Sequence, residues 1–82
     1  MQDYSVSWLE VAREVYDSLP PSRRSAVDLR LELLAHQPTA DARQDRSSGW
    51  WTTTYGGGTG LLLYGISDRY HRLVVLRLQD LG

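Results

Sequence analysis

The chain has 82 residues, a formal net charge of −1 and 41% hydrophobic residues. This length predicts one domain spanning residues 1–82, and the composition is typical of a folded protein rather than a disordered one. The near-neutral charge disfavours a strongly cationic binder of nucleic acid or anionic membrane. The chain has no cysteine, which excludes disulfides and thiolate chemistry, and all nine of its basic residues are Arg, which excludes a Schiff-base or P-loop lysine.

The sequence carries no signal for secretion, a membrane or a cofactor. Its N-terminus lacks the basic region and apolar core of a signal peptide, and no apolar run approaches the roughly 18 residues of a spanning helix. We therefore expect a cytoplasmic protein with no membrane association. No His, Asp or Glu cluster has metal-ligand spacing, so we expect no metal and no cofactor. The stretch Gly56–Gly60 precedes neither a lysine nor a helix, and it predicts a hairpin turn instead of a phosphate loop.

The N-terminal half predicts one strand and two helices. Residues 3–8 alternate as a short strand, and Ser7 followed by Glu10 fits a capping box that starts a helix. Apolar residues recur at helical spacing to Leu19, where an adjacent pair of prolines ends the helix. A second helix is predicted from that pair to about His36. Two helices joined so closely form a hairpin that can cover one side of a sheet.

The C-terminal half predicts three strands. Residues 39–48 are polar and predict a surface loop, whereas residues 49–55 are aromatic and β-branched, which is typical of a strand. Residues 59–79 then predict two strands joined by a polar turn at residues 67–69. The order strand, helix, helix and three strands predicts an α+β fold, with the helical hairpin packed on one face of a four-stranded, mainly antiparallel sheet.

The last two predicted strands are apolar on both faces, which is unusual for a sheet with one solvated face. A period of two places one set of side chains together, namely Leu62, Tyr64, Ile66, Val74, Leu76 and Leu78. It places another set on the opposite face, namely Leu61, Leu63, Leu73, Val75 and Arg77. Two helices can cover only one face, so the second set is predicted to bind a partner.

Trp50 and Trp51 add to this predicted partner surface. The two residues are adjacent, so in a strand they face opposite sides of the sheet. We expect one to fill the core under the helices and the other to anchor a partner protein. Stacking on single-stranded nucleic acid is the alternative, and the scarcity of positive charge nearby disfavours it.

His71, Arg72 and Arg77 are the candidate catalytic residues. In a regular strand His71 and Arg77 point the same way, and Arg72 points to the other face. A histidine titrates near neutrality and could act as acid or base, while Arg77 could hold a phosphate. The alternative, which we favour, places His71 in solvent at a strand end and makes Arg77 a charge that faces a partner.

Apolar and turn residues spread over nearly the whole chain match a known pattern. They are Val6-x-Trp8 with Ala12, Leu19-Pro20 with Arg23 or Arg24, Leu33-Leu34, Pro38, Leu62-Leu63-Tyr64-x-Ile66-x-Asp68, and Leu73-Val74-Val75-Leu76-Arg77-Leu78. In these features the chain resembles the RelE/ParE superfamily of toxin–antitoxin modules. The resemblance implies a compact toxin-like fold that an antitoxin wraps. Some members of this superfamily cut mRNA on the ribosome, and others poison DNA gyrase.

The chain departs from that pattern at the positions that carry catalysis. Ribosome-dependent relatives often have an Arg three places before the Tyr of the third strand, where this chain has Leu61. They also carry basic or aromatic groups just after the last strand, where residues 79–82 supply none. RNA cleavage needs a cation near the phosphate and an acid or base near the 2′-hydroxyl. We therefore do not expect an enzyme. The end at Gly82 is abrupt for this family, which is consistent with a truncated chain.

Three hypotheses for function follow from these residues. The first is a toxin that acts on translation, through the ribosome or mRNA, or on gyrase, and that an antitoxin neutralises on the open sheet face. The second is a non-catalytic module of the same fold that binds another protein or a second copy of itself. The third and weakest is a ribonuclease that uses His71, Arg72 and Arg77.

Overall fold

The computed structural model describes residues 3–82. Its elements in chain order are β1 (Ser5–Trp8), α1 (Glu10–Ser18), α2 (Pro21–His36), β2 (Arg43–Gln44), β3 (Trp51–Tyr55), β4 (Gly60–Ser67) and β5 (Arg72–Asp80). The predicted α+β class and the order of helices and strands are confirmed. The sheet has five strands rather than four, because two residues of the predicted loop pair with β3 and form β2.

The sheet has the order β1-β5-β4-β3-β2, with β1 parallel to β5 and the other pairs antiparallel. β4 and β5 lie in its interior, so their backbone groups bond to a strand on each side. β1 and β5 can pair in parallel because both helices and the strands β2, β3 and β4 lie between them in the chain, which is far longer than a tight turn. No helix within residues 3–82 is long and apolar enough to cross a membrane.

The adjacent prolines separate the two helices as predicted. Pro20 has an extended backbone (φ −60°, ψ 154°), and Pro21 opens α2, where a proline loses no helical hydrogen bond. The predicted capping box is wrong. Ser7 is still part of β1, where it pairs with Val74, so it cannot cap the helix. The N-cap of α1 is Leu9, whose apolar side chain makes no cap bond.

Both helices pack on the same face of the sheet. Ala12 and Leu19 from the first helical segment, and Val27, Leu31 and Leu34 from α2, are buried against it. The strand residues that complete this core are Tyr55, Leu62, Tyr64, Leu73, Val75 and Leu78. The helices lie against the sheet because these positions form their apolar stripes, which are buried in this contact.

Two buried tyrosines form hydrogen bonds between the core and residues at its edge. The Tyr64 hydroxyl donates a hydrogen bond to the Pro38 carbonyl oxygen at 2.6 Å, and the Tyr55 hydroxyl donates to Asp80 Oδ1 at 3.0 Å. Burial raises the pKa of each tyrosine to about 12, and the Asp80 carboxylate adds to the effect on Tyr55. Gly60 is required beside Tyr55, because a Cβ at that position would lie 2.1 Å from the Tyr55 Cζ.

Asp80 itself is held by Arg23 at the start of α2. The Arg23 guanidinium forms an ion pair with the Asp80 carboxylate and donates to the Gly82 carbonyl oxygen. The end of β5 is therefore fixed to the helical layer, and the Asp80 carboxylate faces the helices rather than the opposite side of the sheet.

Candidate functional site

A β-bulge in β5 decides which side chains face away from the helices. Leu63 lies opposite Arg77, but the next residue of β4, Tyr64, lies opposite Val75. Leu76 is therefore an extra residue in β5 without a partner on β4. Because side chains alternate across a strand, one extra residue exchanges the two faces for the part of the strand beyond it.

This bulge overturns the prediction for Leu73 and Val75. Both side chains are 0% exposed and belong to the core under the helices, so neither can contact a partner. The physical reason is their pairing: Leu73 lies beside Ile66 and Val75 beside Tyr64, and both partners pack under the helices. Strict alternation would have placed Arg77 on the same face as Leu73 and Val75, and an unpaired guanidinium in the core costs far more than one irregular strand residue.

The face opposite the helices is called the open face here. Its apolar residues are Trp50, Leu61, Leu63, Val74 and Leu76. None of them belongs to the core cluster. The four aliphatic side chains are half-buried by their neighbours in the sheet, and Trp50 is 46% exposed. Leu61 and Leu63 thus lie on the predicted face, and Val74 and Leu76 take the places predicted for Leu73 and Val75.

The two adjacent tryptophans lie on opposite sides of the sheet. Trp51 pairs with Tyr64 and packs against the core. Trp50 lies on the open face beside Gly65, where a Cβ added to the glycine would be 3.9 Å from the indole Cδ1. Trp50 is therefore the one member of the pair that can contact a partner on this face.

A braced loop holds Trp50 in place. The Trp50 carbonyl oxygen accepts a hydrogen bond from the Asp45 amide at 2.9 Å, and the Trp50 amide donates to the Ser48 hydroxyl at 3.1 Å. The Asp45 carboxylate accepts from the Ser47 amide and hydroxyl and from the Ser48 hydroxyl. These bonds, the Ser47 amide first, lower the pKa of Asp45 below its usual value.

Three arginines surround the apolar residues of the open face. Arg72 lies opposite Ser67 and Arg77 opposite Leu63, so the bulge places both arginines on the open face, where a regular strand would have separated them. Arg43 of β2 pairs with Thr52 of β3, and Thr52 pairs with Leu63 of β4. Arg43 therefore lies on the open face as well. The sequence predicted a surface loop for Arg43, because two residues are too few to show a strand period.

His71 lies away from this face. It occupies the turn before β5 with a positive φ of 51°, and its ring stacks on Tyr4 with centroids 4.6 Å apart. The Tyr4 hydroxyl in turn donates to Asp68 Oδ1 at 2.6 Å. At about 3.3 Å per strand residue, His71 and Arg77 are roughly 20 Å apart. The structure therefore does not bring the three candidate catalytic residues together.

Charge is segregated between the two sides of the sheet. The chain has 10 acidic residues, all within the described residues, and Asp80 is the only one of them in a strand. Its carboxylate pairs with Arg23 on the helical side. The strand positions that face the open side, within residues 3–82, thus carry Arg43, Arg72 and Arg77 and no carboxylate. A chain of net charge −1 therefore presents one locally cationic face.

Solved structures match this chain over nearly its whole length, although no family model and no curated protein matches it. One chain of the toxin–antitoxin complex RelBE2 from Mycobacterium tuberculosis has 27% sequence identity and a TM-score of 0.81, with 95% of this chain and 98% of that chain covered.

The isolated RelE toxin of E. coli has the same fold at 15% identity, with a TM-score of 0.80 and coverage of 96% of this chain and 85% of that chain. A chain of the archaeal RelE-RelB complex from Pyrococcus horikoshii OT3 gives 14% identity, a TM-score of 0.76, and coverage of 98% and 97%. The resemblance that the sequence predicts is confirmed: the chain has a RelE-like fold, the architecture of toxins from toxin–antitoxin modules.

Proposed function

We propose that this chain is the toxin of a toxin–antitoxin module and that its antitoxin covers the open face. The RelE-like fold supports the first part, and the uncovered apolar residues support the second. The observation that carries the proposal is the group Trp50, Leu61 and Leu63, which no helix or loop within residues 3–82 covers. Exposed apolar patches with a polar rim are typical of surfaces that bind another protein.

The same geometry favours action through contacts over RNA cleavage by the predicted residues. His71 stacks on Tyr4 at the far end of β5 from Arg77, so no acid or base from that set lies beside the Arg77 guanidinium. Leu61 occupies an open-face position where the resembling ribosome-dependent toxins often have an Arg. A target in translation, or gyrase, would then be bound and blocked without chemistry by His71, Arg72 and Arg77.

Growth provides the first test. Induced expression of this chain alone should arrest growth, and expression together with the gene adjacent to its own should restore it. Normal growth under strong induction of the folded protein would contradict a toxin. A purified homodimer that forms through the open face, together with normal growth, would instead establish the dimerisation module.

Binding provides the second test, with the purified product of the adjacent gene as the probe. Leu63→Asp places a charge at the centre of the open face and should weaken binding about 30-fold, because a central contact residue contributes about 2 kcal/mol. Leu29→Asp is the matched control, since Leu29 is 67% exposed on α2 and lies on the helical side. Equal affinity of the two variants, both folded by circular dichroism, would place the interface elsewhere.

A further inference from the structure

A depression on the open face is centred on Gly65. Because this residue has no side chain, a space of about 430 Å³ remains above it, lined by Trp50, Val74 and Leu76 and closed at one end by the loop at residues 48–49. Gly65 lies directly opposite Val74 in the β4–β5 pair. The walls are mainly apolar, with Ser48 and Ser67 as the polar residues at the border, so this depression suits one large apolar side chain rather than a polar ligand.

Two unpaired arginines lie on either side of the depression along β5. Arg72 is two residues before Val74 and Arg77 is three residues after it, or roughly 7 and 10 Å along the strand. Within residues 3–82 neither guanidinium has a carboxylate within 4.0 Å, in contrast to Arg23, which pairs with Asp80. An occupant with acidic groups on both sides of an apolar anchor would therefore match this arrangement.

The backbone of the sheet limits the occupant to a helix. β4 and β5 are interior strands, so their amides and carbonyls already bond to neighbouring strands and offer nothing to a ligand on the open face. An extended segment on this face would leave its own backbone groups without partners in a partly dry contact, which is costly. A helix satisfies its backbone internally and presents only side chains.

We propose that the Gly65 depression receives one large apolar side chain of an acidic amphipathic helix whose carboxylates contact Arg72 and Arg77. This inference rests on the proposed function and names the part of the antitoxin that would cover this half of the open face. A helix of about three turns spans the roughly 17 Å between the two arginines at 1.5 Å per residue. RNA is the less suitable occupant, because Val74 and Leu76 form no hydrogen bonds with phosphate or ribose.

Gly65→Val tests the anchor without disturbing the fold. A Cβ at Gly65 would meet only the Trp50 Cδ1 at 3.9 Å, an ordinary contact, and a β-branched residue is favoured in a strand. The variant should be as stable as the parent, while its affinity for the product of the adjacent gene falls at least tenfold because the depression is filled. Thr54→Val, on the same face in β3, is the matched control and should bind normally.

Arg72→Glu and Arg77→Glu test the charge. Each should weaken binding about tenfold, and raising the salt concentration from 0.1 to 0.5 M should weaken binding of the parent more than binding of the double variant. Arg46→Glu, in the exposed loop before β3, is the control and should bind normally.

The outcomes separate this inference from the proposed function. If Leu63→Asp abolishes binding but Gly65→Val and both charge reversals bind normally, the antitoxin covers the face without this helix, and the inference is wrong while the proposed function stands. If Leu63→Asp also binds normally, the proposed function fails. If the charge reversals abolish binding of a single-stranded RNA oligonucleotide and leave binding of the adjacent gene's product unchanged, the face binds nucleic acid and the inference is overturned.

Discussion

The two faces of the sheet are both apolar in sequence, yet they differ in burial and in charge. On the helical face Tyr55, Leu62 and Val75 are 0% exposed, and Thr53, which is also buried, donates its hydroxyl to the Asp41 carbonyl oxygen at 3.0 Å. On the open face the aliphatic residues are half-buried, and three arginines have no acidic neighbour among the strands. The comparison shows that apolar character alone does not separate residues that stabilise a fold from residues available to a partner.

The bulge at Leu76 maintains this difference. Before it, β5 directs Leu73 and Val75 to the helices, and after it Leu78 faces the same way. Arg77 is thereby kept on the open face together with Arg72. In a regular strand, Arg77 would instead lie on the same face as Leu73 and Val75.

The largest expected effect separates Val74 from Val75. Val75→Asp should unfold the protein, because a carboxylate in the core costs more than the roughly 5 kcal/mol of stability that a domain of this size has. Val74→Asp, the same change on the neighbouring residue, should remain folded and lose about 1 kcal/mol, since Val74 is only half-buried on the open face. Chemical denaturation followed by circular dichroism measures both. A folded Val75→Asp with an unfolded Val74→Asp would show that the strand has no bulge.

A smaller effect is expected at Tyr64 on the helical face. Tyr64→Phe leaves the Pro38 carbonyl oxygen without its partner and should lower the free energy of unfolding by about 1 kcal/mol. An unchanged denaturation midpoint would show that the bond contributes nothing.

Alkaline pH probes both buried tyrosines. The pKa values of Tyr55 and Tyr64 are raised to about 12, above the ordinary value of 10.0, so the stability that they contribute is complete below pH 10 and is lost as the pH rises towards 12. The ultraviolet absorbance of tyrosinate should therefore show a late-titrating group that coincides with unfolding. Tyr64→Phe should halve this late change in absorbance, because only Tyr55 of the two late-titrating tyrosines remains. If every tyrosine of the folded protein titrated near pH 10, the raised pKa values of Tyr55 and Tyr64 would be contradicted.

The smallest expected effect concerns Asp45 and the position of Trp50 on the open face. The pKa of Asp45 is lowered in the folded protein. The contribution of its carboxylate to stability is therefore present above the ordinary pKa near 4 and is lost as the pH falls through the lowered pKa. The indole N–H resonance of Trp50, assigned by its loss in Trp50→Phe, should shift at acidic pH. Asp45→Ala should show a similar shift at neutral pH, and a resonance independent of both changes would mean that the brace does not position Trp50.

Local signals in the sequence were sufficient for most of the elements. The paired prolines end one helix and open the next, and the three glycines at 56–58 place a turn, because each restricts or permits backbone angles without help from distant residues. Val27, Leu31 and Leu34, which recur at helical spacing in the second helix, lie in the core. The capping box failed because Ser7 had a competing use in β1, and β2 was missed because its pairing depends on β3.

The candidate site was predictable in kind but only partly by residue. Two helices of the predicted length can cover only one face of an apolar sheet, and the sequence therefore identified Leu61, Leu63 and one tryptophan on the uncovered face. The sequence did not identify Gly65, Val74 or Leu76 as residues of this face, because a strand period of two assigned Val74 and Leu76 to the core. No local signal indicated the bulge, because a regular strand with Leu73, Val75 and Arg77 all on the open face is equally consistent with the sequence.

The sequence by itself determined the class of fold, the number of helices and the existence of one uncovered apolar face, since these depend on composition, period and breakers along the chain. Only the tertiary structure decided which side chains form that face. Residues 73–78 of β5 are apolar at every position except Arg77, so the register is fixed by what packs against them. Here Leu73 and Val75 pack under the helices, while the bulge keeps Arg77 out of the core.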